Sequence, residues 1–390
     1  MFGSSSRLSR IQCLDDLEAA AKAFLPRPVF GYIFGSSETR RSERGSRSAY
    51  EDYVFRPRVL VDVSKRDQSV EFLGKTYAAP FGIAPMGISA LSAYRGDIVQ
   101  ARAAAAAKIP MALSGSSLIA MEEVIAAAPE TWFQAYVPGD MSRTAPLLAR
   151  AEKAGYRTLV LTVDVPILGG REHYIRAGFS TPLKPGLRLA VDGLMRPGWL
   201  IGTFARTLLK HGMPHFENSY AERGAPIVSR SVLRDFSARD YLNWTHLDEI
   251  RRLWPGKLIV KGLLHPDDAI TARDAGADAI IVSNHGGRQL DNAIAPLHAL
   301  PAIVAAVPDL PVMIDGGIRR GTDILMALAL GAKFVLIGRP FNYAASIGGE
   351  AGVTHVIDLL KTEINRDMAM LGVNHCSELT PELLVRQGVL

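Results

Sequence analysis

Ile280-Ile281-Val282-Ser283-Asn284-His285-Gly286-Gly287-Arg288-Gln289-Leu290-Asp291 reads in two halves. The run Ala279–Val282 has the length and continuous apolar character of a parallel strand buried on both faces. At its end the pattern switches to Ser-Asn-His-Gly-Gly-Arg. The glycines permit a sharp turn and the close approach of a ligand to the backbone. His285 is the side chain suited to moving a proton near neutral pH. Arg288, three residues on, offers a planar fork that matches a carboxylate. A base beside a carboxylate anchor points to chemistry on a small organic acid. The plain alternative is a strand-end turn with a core histidine and a solvated arginine.

Working outward, seven more runs have the same form: Phe81–Pro85, Pro110–Ser114, Trp132–Val137, Thr158–Asp164, Lys257–Lys261, Val312–Asp315 and Phe334–Gly338. Helical spacing fills most of the gaps, over Gly96–Lys108, Met121–Ala128, Arg143–Ala154, His265–Ala275, Pro296–Ala306 and Thr322–Leu330. Glycine closes several of these helices, at Gly155, Gly276 and Gly331, as a C-cap does. Strand and helix alternating eight times is the sequence form of a (β/α)8, or TIM, barrel. A doubly wound open sheet is the rival, but its Gly-x-Gly-x-x-Gly opening is missing.

Polar residues gather at the C-terminal ends of these strands: Gln134 and Tyr136, Thr162 and Asp164, Lys261, Ser283 and His285, and Asp315. In a barrel that face carries the active site. Asp315-Gly316-Gly317-Ile318-Arg319-Arg320 and Gly338-Arg339-Pro340 end strands seven and eight, where barrels bind phosphate on exposed N–H groups. A phosphorylated cofactor lying across the mouth suits both features.

The 390 residues, 48% hydrophobic and 21% charged, fit a folded chain with a full core. We expect one domain over 1–390, with the barrel at about 80–345. A net charge of +5 favours anionic substrates or an anionic membrane face and is too diffuse to argue for nucleic acid. Cys13 and Cys376, far apart, make neither a disulfide framework nor a metal site, so no metal and a reducing, cytoplasmic compartment are expected. Met1–Arg10 reads as a frayed tail without the apolar run of a secretory signal. Cys13–Phe24 has helical spacing ended by Pro26 and Pro28, and Arg40–Arg47 reads as a solvated helix face or loop. A hairpin is expected around Gly74.

After strand four the alternation fails over about 176–237, too long for an ordinary loop. Trp199, Phe204 and several leucines are interleaved with Lys184, Arg188, Arg196, Arg206 and Lys210. That is the composition of a segment lying on a membrane surface. A lid over the barrel or a subunit contact would read similarly. The run Leu247–Leu253 resumes helical spacing ahead of strand five.

Ser283–Asp291 resembles the signature of the FMN-dependent L-2-hydroxy acid oxidases and dehydrogenases, which include glycolate oxidase, respiratory L-lactate dehydrogenase and mandelate dehydrogenase. Thr162-Val163-Asp164, Val260-Lys261-Gly262, Asp315–Gly321 and Ile337–Pro340 are similar to other motifs of that family, in its order. The resemblance spans roughly Leu14 to Leu371. It implies FMN as cofactor, His285 as catalytic base, Asp164 as the carboxylate paired with the imidazolium, and Lys261 at the flavin N1–C2 edge. It implies Arg288, Arg171, Tyr32 and Tyr136 as substrate-binding residues. The flavin ring would meet Pro85, Met86, Gly87, Ser114, Gln134, Thr162 and Ser283, and the phosphate Asp315, Gly317, Arg319, Gly338 and Arg339. A homotetramer is the expected assembly.

The implied reaction is oxidation of an L-2-hydroxy acid to the 2-oxo acid, with two electrons passing to FMN. Hydride transfer and a carbanion route stay open, as do quinone and oxygen as acceptors. Quinone is the expectation drawn from the basic, Trp-containing insertion, with contact at the inner face of the plasma membrane. An FMN barrel isomerase or a non-catalytic flavin-binding subunit are the readings from other classes. Ser116 and Gly87 stand where many members carry larger residues, so room is expected for lactate-like or mandelate-like side chains.

Overall fold

The computed structural model describes residues 7–230 and 239–387. The start of the expected tail and residues 231–237 of the expected insertion lie outside the described residues. The central sheet has eight parallel strands: β1 Phe81–Ile83, β2 Ala112–Ser114, β3 Trp132–Ala135, β4 Thr158–Thr162, β5 Lys257–Leu263, β6 Ala279–Val282, β7 Val312–Asp315 and β8 Phe334–Ile337. Pairing follows chain order from β2 to β8, and β8 returns to β1. A parallel bridge between Ile83 and Met111 closes the ring. The result is a (β/α)8 barrel. An open doubly wound sheet would reverse its strand order, and this one does not.

The strands are buried throughout except where β5 begins, at Lys257, and at Thr158 and Gly262, which are half-buried. The helices Gly96–Ala106, Met121–Ala127, Met141–Ala154, Pro266–Asp274, Pro296–Ala306 and Gly321–Ala329 fall between them. Gly155 ends the third of these at φ 109°, a left-handed conformation that a side chain resists. The expected hairpin pairs Val70–Phe72 with Lys75–Tyr77. Phe72 and Tyr77 pack at 5.2 and 5.5 Å from Phe334, the first residue of β8, and so plug the N-terminal end.

Three helices precede the barrel, and the last two lie at its other end. They are α1 Asp16–Phe24, α2 Arg27–Phe34 and α3 Arg41–Ser48. The prolines that end α1 also begin α2, where Pro28 occupies the first turn. Arg40–Arg47 has the expected solvated helix face, at Arg41 and Arg44, but also a buried one that was not expected. Ser42 and Ser46 on α3 are buried, because the helix lies against the glycine turns of β6 and β7. A Cβ at Gly317 would come within 1.9 Å of the Ser46 carbonyl oxygen, so only glycine admits α3.

The insertion is helical. It runs through α4 Glu172–Ala177, then Leu187–Leu194, Pro197–Trp199, a π-helical turn Leu200–Ala205, and Arg206–His211. Trp199 departs from the reading of an interfacial anchor. It is buried, stacks 5.4 Å from Phe204, and donates its Nε1–H to the Leu91 carbonyl at 2.8 Å. It fastens the insertion to the barrel. Leu187, Leu194, Met195, Ile201 and Leu209 point outward instead, each at least 67% exposed. Among the described residues no helix is long and apolar enough to cross a membrane.

Candidate active site

The end of β6 delivers His285 in a left-handed conformation, φ 58°, which a non-glycine residue adopts only at a cost. Ser283 supports it. The Ser283 hydroxyl oxygen accepts from the His285 backbone N–H at 3.0 Å and from Lys261 Nζ at 2.8 Å. The ring then lies with Nδ1 2.9 Å from Asp164 Oδ1 and Nε2 3.2 Å from the Tyr136 hydroxyl. A carboxylate accepts from Nδ1–H, which leaves the lone pair on Nε2 facing the cavity. Burial holds the imidazole below its ordinary pKa, with Asp164 opposing. Burial would raise the Asp164 carboxyl, but the His285 ring and Lys261 outweigh it and hold it low. At neutral pH the pair is therefore a neutral imidazole on a carboxylate. Burial pushes Tyr136 up to about 12, so it stays a phenol.

Lys261 and Asp315, both buried, form an ion pair at 2.9 Å. Burial alone would lower the lysine, yet Asp315 and Asp164 raise it, so it is charged. One oxygen of Asp315, Oδ2, is engaged by Lys261, and Asp315 lines the same cavity as Gly316 and Gly317. Around this pair stand buried polar atoms that have no partner among the described residues: Gln134 Nε2, Thr162 Oγ1 and Asp315 Oδ1. Ser114 Oγ and the Gly115 N–H donate to Gln134 Oε1 at 3.2 and 3.3 Å, which fixes the amide. Orphaned buried donors and acceptors are costly unless a ligand satisfies them. The polar edge of a flavin supplies matching donors and acceptors, so the donor set fits FMN.

At the other end Gly316, Gly317, Arg319, Gly338 and Arg339 line the same cavity of about 280 Å³. Burial, with Arg288 nearby, lowers Arg339 to about 10. Burial and Arg47 also hold Arg319 below its usual value. Crowded, desolvated guanidiniums of this kind call for an anion.

Pro85, Met86, Gly87, Tyr32, Tyr136, Thr162, Arg171, Lys261, His285 and Arg288 line the cavity as well. Asp164 and Ser283 orient His285 from beside it, and Ser114 and Gln134 stand next to Thr162. Arg288 sends NH1 to the carbonyls of Ile33 (3.1 Å) and Gly35 (2.8 Å) and NH2 to that of Tyr32 (2.9 Å). Its charge sits on the C-terminal end of α2, where a cation is favoured. Arg171 donates from NH2 to Gln289 Oε1 at 2.8 Å.

Gly87 and Ser116 both line the cavity. A Cβ at Gly87 would meet the Tyr32 hydroxyl at 2.8 Å and Ser116 Cβ at 2.9 Å, so the glycine leaves that corner to Tyr32 and Ser116. Val165, Leu168, Thr181 and Arg239 line the cavity as well. Sequence reasoning missed these four and Tyr174. Tyr174 hid in the stretch Arg171-Glu172-His173-Tyr174, three residues after a residue already singled out. For Arg239, a buried arginine 5.1 Å from the Tyr136 ring, no sequence signal exists.

A profile of the FMN-dependent dehydrogenases matches residues 21–386. The chain belongs to that family. It is 37% identical to (S)-mandelate dehydrogenase of Pseudomonas putida over 377 residues, which is 96% of this chain and 94% of that one. It is 41% identical to an L-lactate dehydrogenase of Caulobacter vibrioides over 383 residues, 95% and 97% of the two chains. Among solved structures, that of a monotopic membrane protein, (S)-mandelate dehydrogenase, superposes with a TM-score of 0.87 at 36% identity, covering 97% of this chain and all of that one. A mandelate oxidase mutant with (S)-mandelic acid gives 0.79 at 32% identity, covering 97% and 99%. The family resemblance read from the strand-end motifs holds, and with it FMN as the cofactor and an oxidoreductase activity.

Proposed function

We propose that the protein oxidises an L-2-hydroxy acid to the 2-oxo acid. The observation that carries this is the His285–Asp164 pair, with Nε2 turned to a cavity that also holds two arginines and an anion-demanding end. FMN, when bound, supplies the two-electron acceptor. Lys261, Gln134 and Thr162 would satisfy its ring, and Arg319, Arg339 and the glycine turns its phosphate.

The remaining chemistry belongs to the side chains. Arg288 and Arg171 provide the positive field for the carboxylate beside Tyr32, which fixes the reacting carbon. Neutral His285 takes a proton at Nε2. Asp164 then stabilises the imidazolium, as a buried carboxylate does in a triad. Tyr136 donates toward the substrate hydroxyl or the His285 nitrogen, and its phenol does not ionise in the working range.

The supported substrates are lactate-like and mandelate-like acids, in keeping with the relatives' activities. The insertion's exposed leucines, beside Arg188, Arg206 and Lys210, suit a membrane surface, and a membrane position favours a quinone as final acceptor. A soluble oxidase that passes electrons to oxygen leaves those leucines without a role. Anaerobic mixing of the yellow protein with L- and D-lactate and L- and D-mandelate tests the reading. Bleaching by an L acid and not its D form is expected, and no bleaching by any would contradict it.

A further inference from the structure

Tyr174 reaches the substrate end of the cavity from α4, and neither the motifs nor the mechanism above uses it. It is nearly buried and lines the cavity. Its hydroxyl oxygen accepts from Arg288 NH2 and, at 3.4 Å, from Arg171 NH1. Its ring is clamped by Tyr32 at 5.4 Å and Phe179 at 5.3 Å, and a Cβ at Gly35 would strike it at 2.8 Å. The phenol therefore has little freedom to turn away.

A tyrosine hydroxyl has two acceptor lone pairs and one donor proton. Both lone pairs of Tyr174 face guanidiniums, so its proton must point elsewhere, and the cavity adjoins it. Meanwhile Arg288 has its four terminal N–H groups committed, to three backbone carbonyls and to Tyr174. That arginine sets the charge of the subsite without a free bidentate face. A phenol polarised by two cations is a strengthened donor.

We propose that Tyr174 binds the substrate carboxylate, donating its hydroxyl proton to one oxygen while holding Arg288 and Arg171 in place. This rests on the hydroxy acid reading above. Tyr174 then decides how tightly the acid is held and along which axis, rather than how fast the bound acid is oxidised.

The test is Tyr174→Phe, which keeps the ring and its packing and removes only the hydroxyl, measured in the FMN-loaded enzyme beside the wild type. Calorimetric titration with pyruvate and benzoylformate should show affinity weakened about ten- to a hundredfold, the scale of a hydrogen bond to a charged group. KM for the L-2-hydroxy acid should rise in parallel. The limiting rate of flavin bleaching should change less than about threefold, and the melting temperature should fall by a few degrees at most, since packing is untouched and only the acceptor for Arg288 and Arg171 is lost. Unchanged 2-oxo acid affinity in a reactive enzyme overturns the proposal alone. So does a fall in limiting rate and melting temperature without a loss of affinity, which is the mark of a packing role. A wild type that neither binds 2-oxo acids nor bleaches with any hydroxy acid overturns the underlying reading and the proposal together.

Discussion

The mouth of the barrel and the insertion break the ordinary rule of burial in opposite directions. At the mouth, ionisable groups are inside. Lys261, Asp315 and Asp164 are each held by a partner from another strand, and unpartnered polar atoms stand beside them. In the insertion, large apolar side chains are outside, with Leu209 86% and Leu187 83% exposed. Both arrangements cost free energy unless something outside the chain compensates. For the mouth that partner is a cofactor and a charged substrate. For the insertion we propose an apolar surface. On that reading the chain marks its chemistry by burying polarity and a docking face by exposing hydrocarbon.

The mouth is where a single change should matter most. Asp164→Asn leaves His285 without its anion, and a loss of about 10²–10⁴-fold in kcat is expected in steady-state assays. Retention of full activity would separate the pair from catalysis. The insertion should respond in partition and not in rate. Leu194→Ser, Met195→Ser and Leu209→Ser together should cut recovery with membranes at least about tenfold, since each buried leucine is worth about 1.5–3 kcal/mol. Bleaching by substrate should be unaltered, and sedimentation beside stopped flow checks both. Trp199→Ala probes the seam between the two regions. Loss of a buried indole costs about 3–5 kcal/mol, read as earlier unfolding in denaturant. Unchanged stability would show that the insertion is not fastened there.

The smallest effect is in pH. In the proposed mechanism His285 works as a neutral imidazole, and burial holds its pKa below the usual 6.5. So kcat/KM should rise with pH through a midpoint under 6.5 and then stay level, because Tyr136 titrates only near 12. A midpoint above 6.5 would place the charge on His285 differently.

The eight strands were legible because strands buried on both faces are continuous apolar runs, each closed by polar residues or glycine. Ser283–Arg288 was legible because chemistry-bearing residues were packed into a few positions. The helix α2 was not. Pro26 and Pro28 read locally as breakers, and the place of Gly31 inside the helix is explained only by a distant contact, since a Cβ would strike Ala177 of α4 at 2.4 Å. The buried face of α3 was hidden for the same reason, since its partners, Gly287 and Gly317, lie more than two hundred residues away. Tyr174 and Arg288 meet across 114 residues, and no local pattern announces such a contact. In the insertion, composition suggested an apolar face, but only packing could show that Trp199 points inward and the leucines outward.

The central claim is that His285, oriented by Asp164, takes the substrate's proton at Nε2. Anaerobic stopped flow of His285→Gln against wild type, both loaded with FMN and mixed with the L-2-hydroxy acid that bleaches the wild type, tests it most directly. Flavin retained at the wild-type level with bleaching slowed by about 10²–10⁴-fold is the predicted result. Bleaching within about tenfold of the wild-type rate would contradict it.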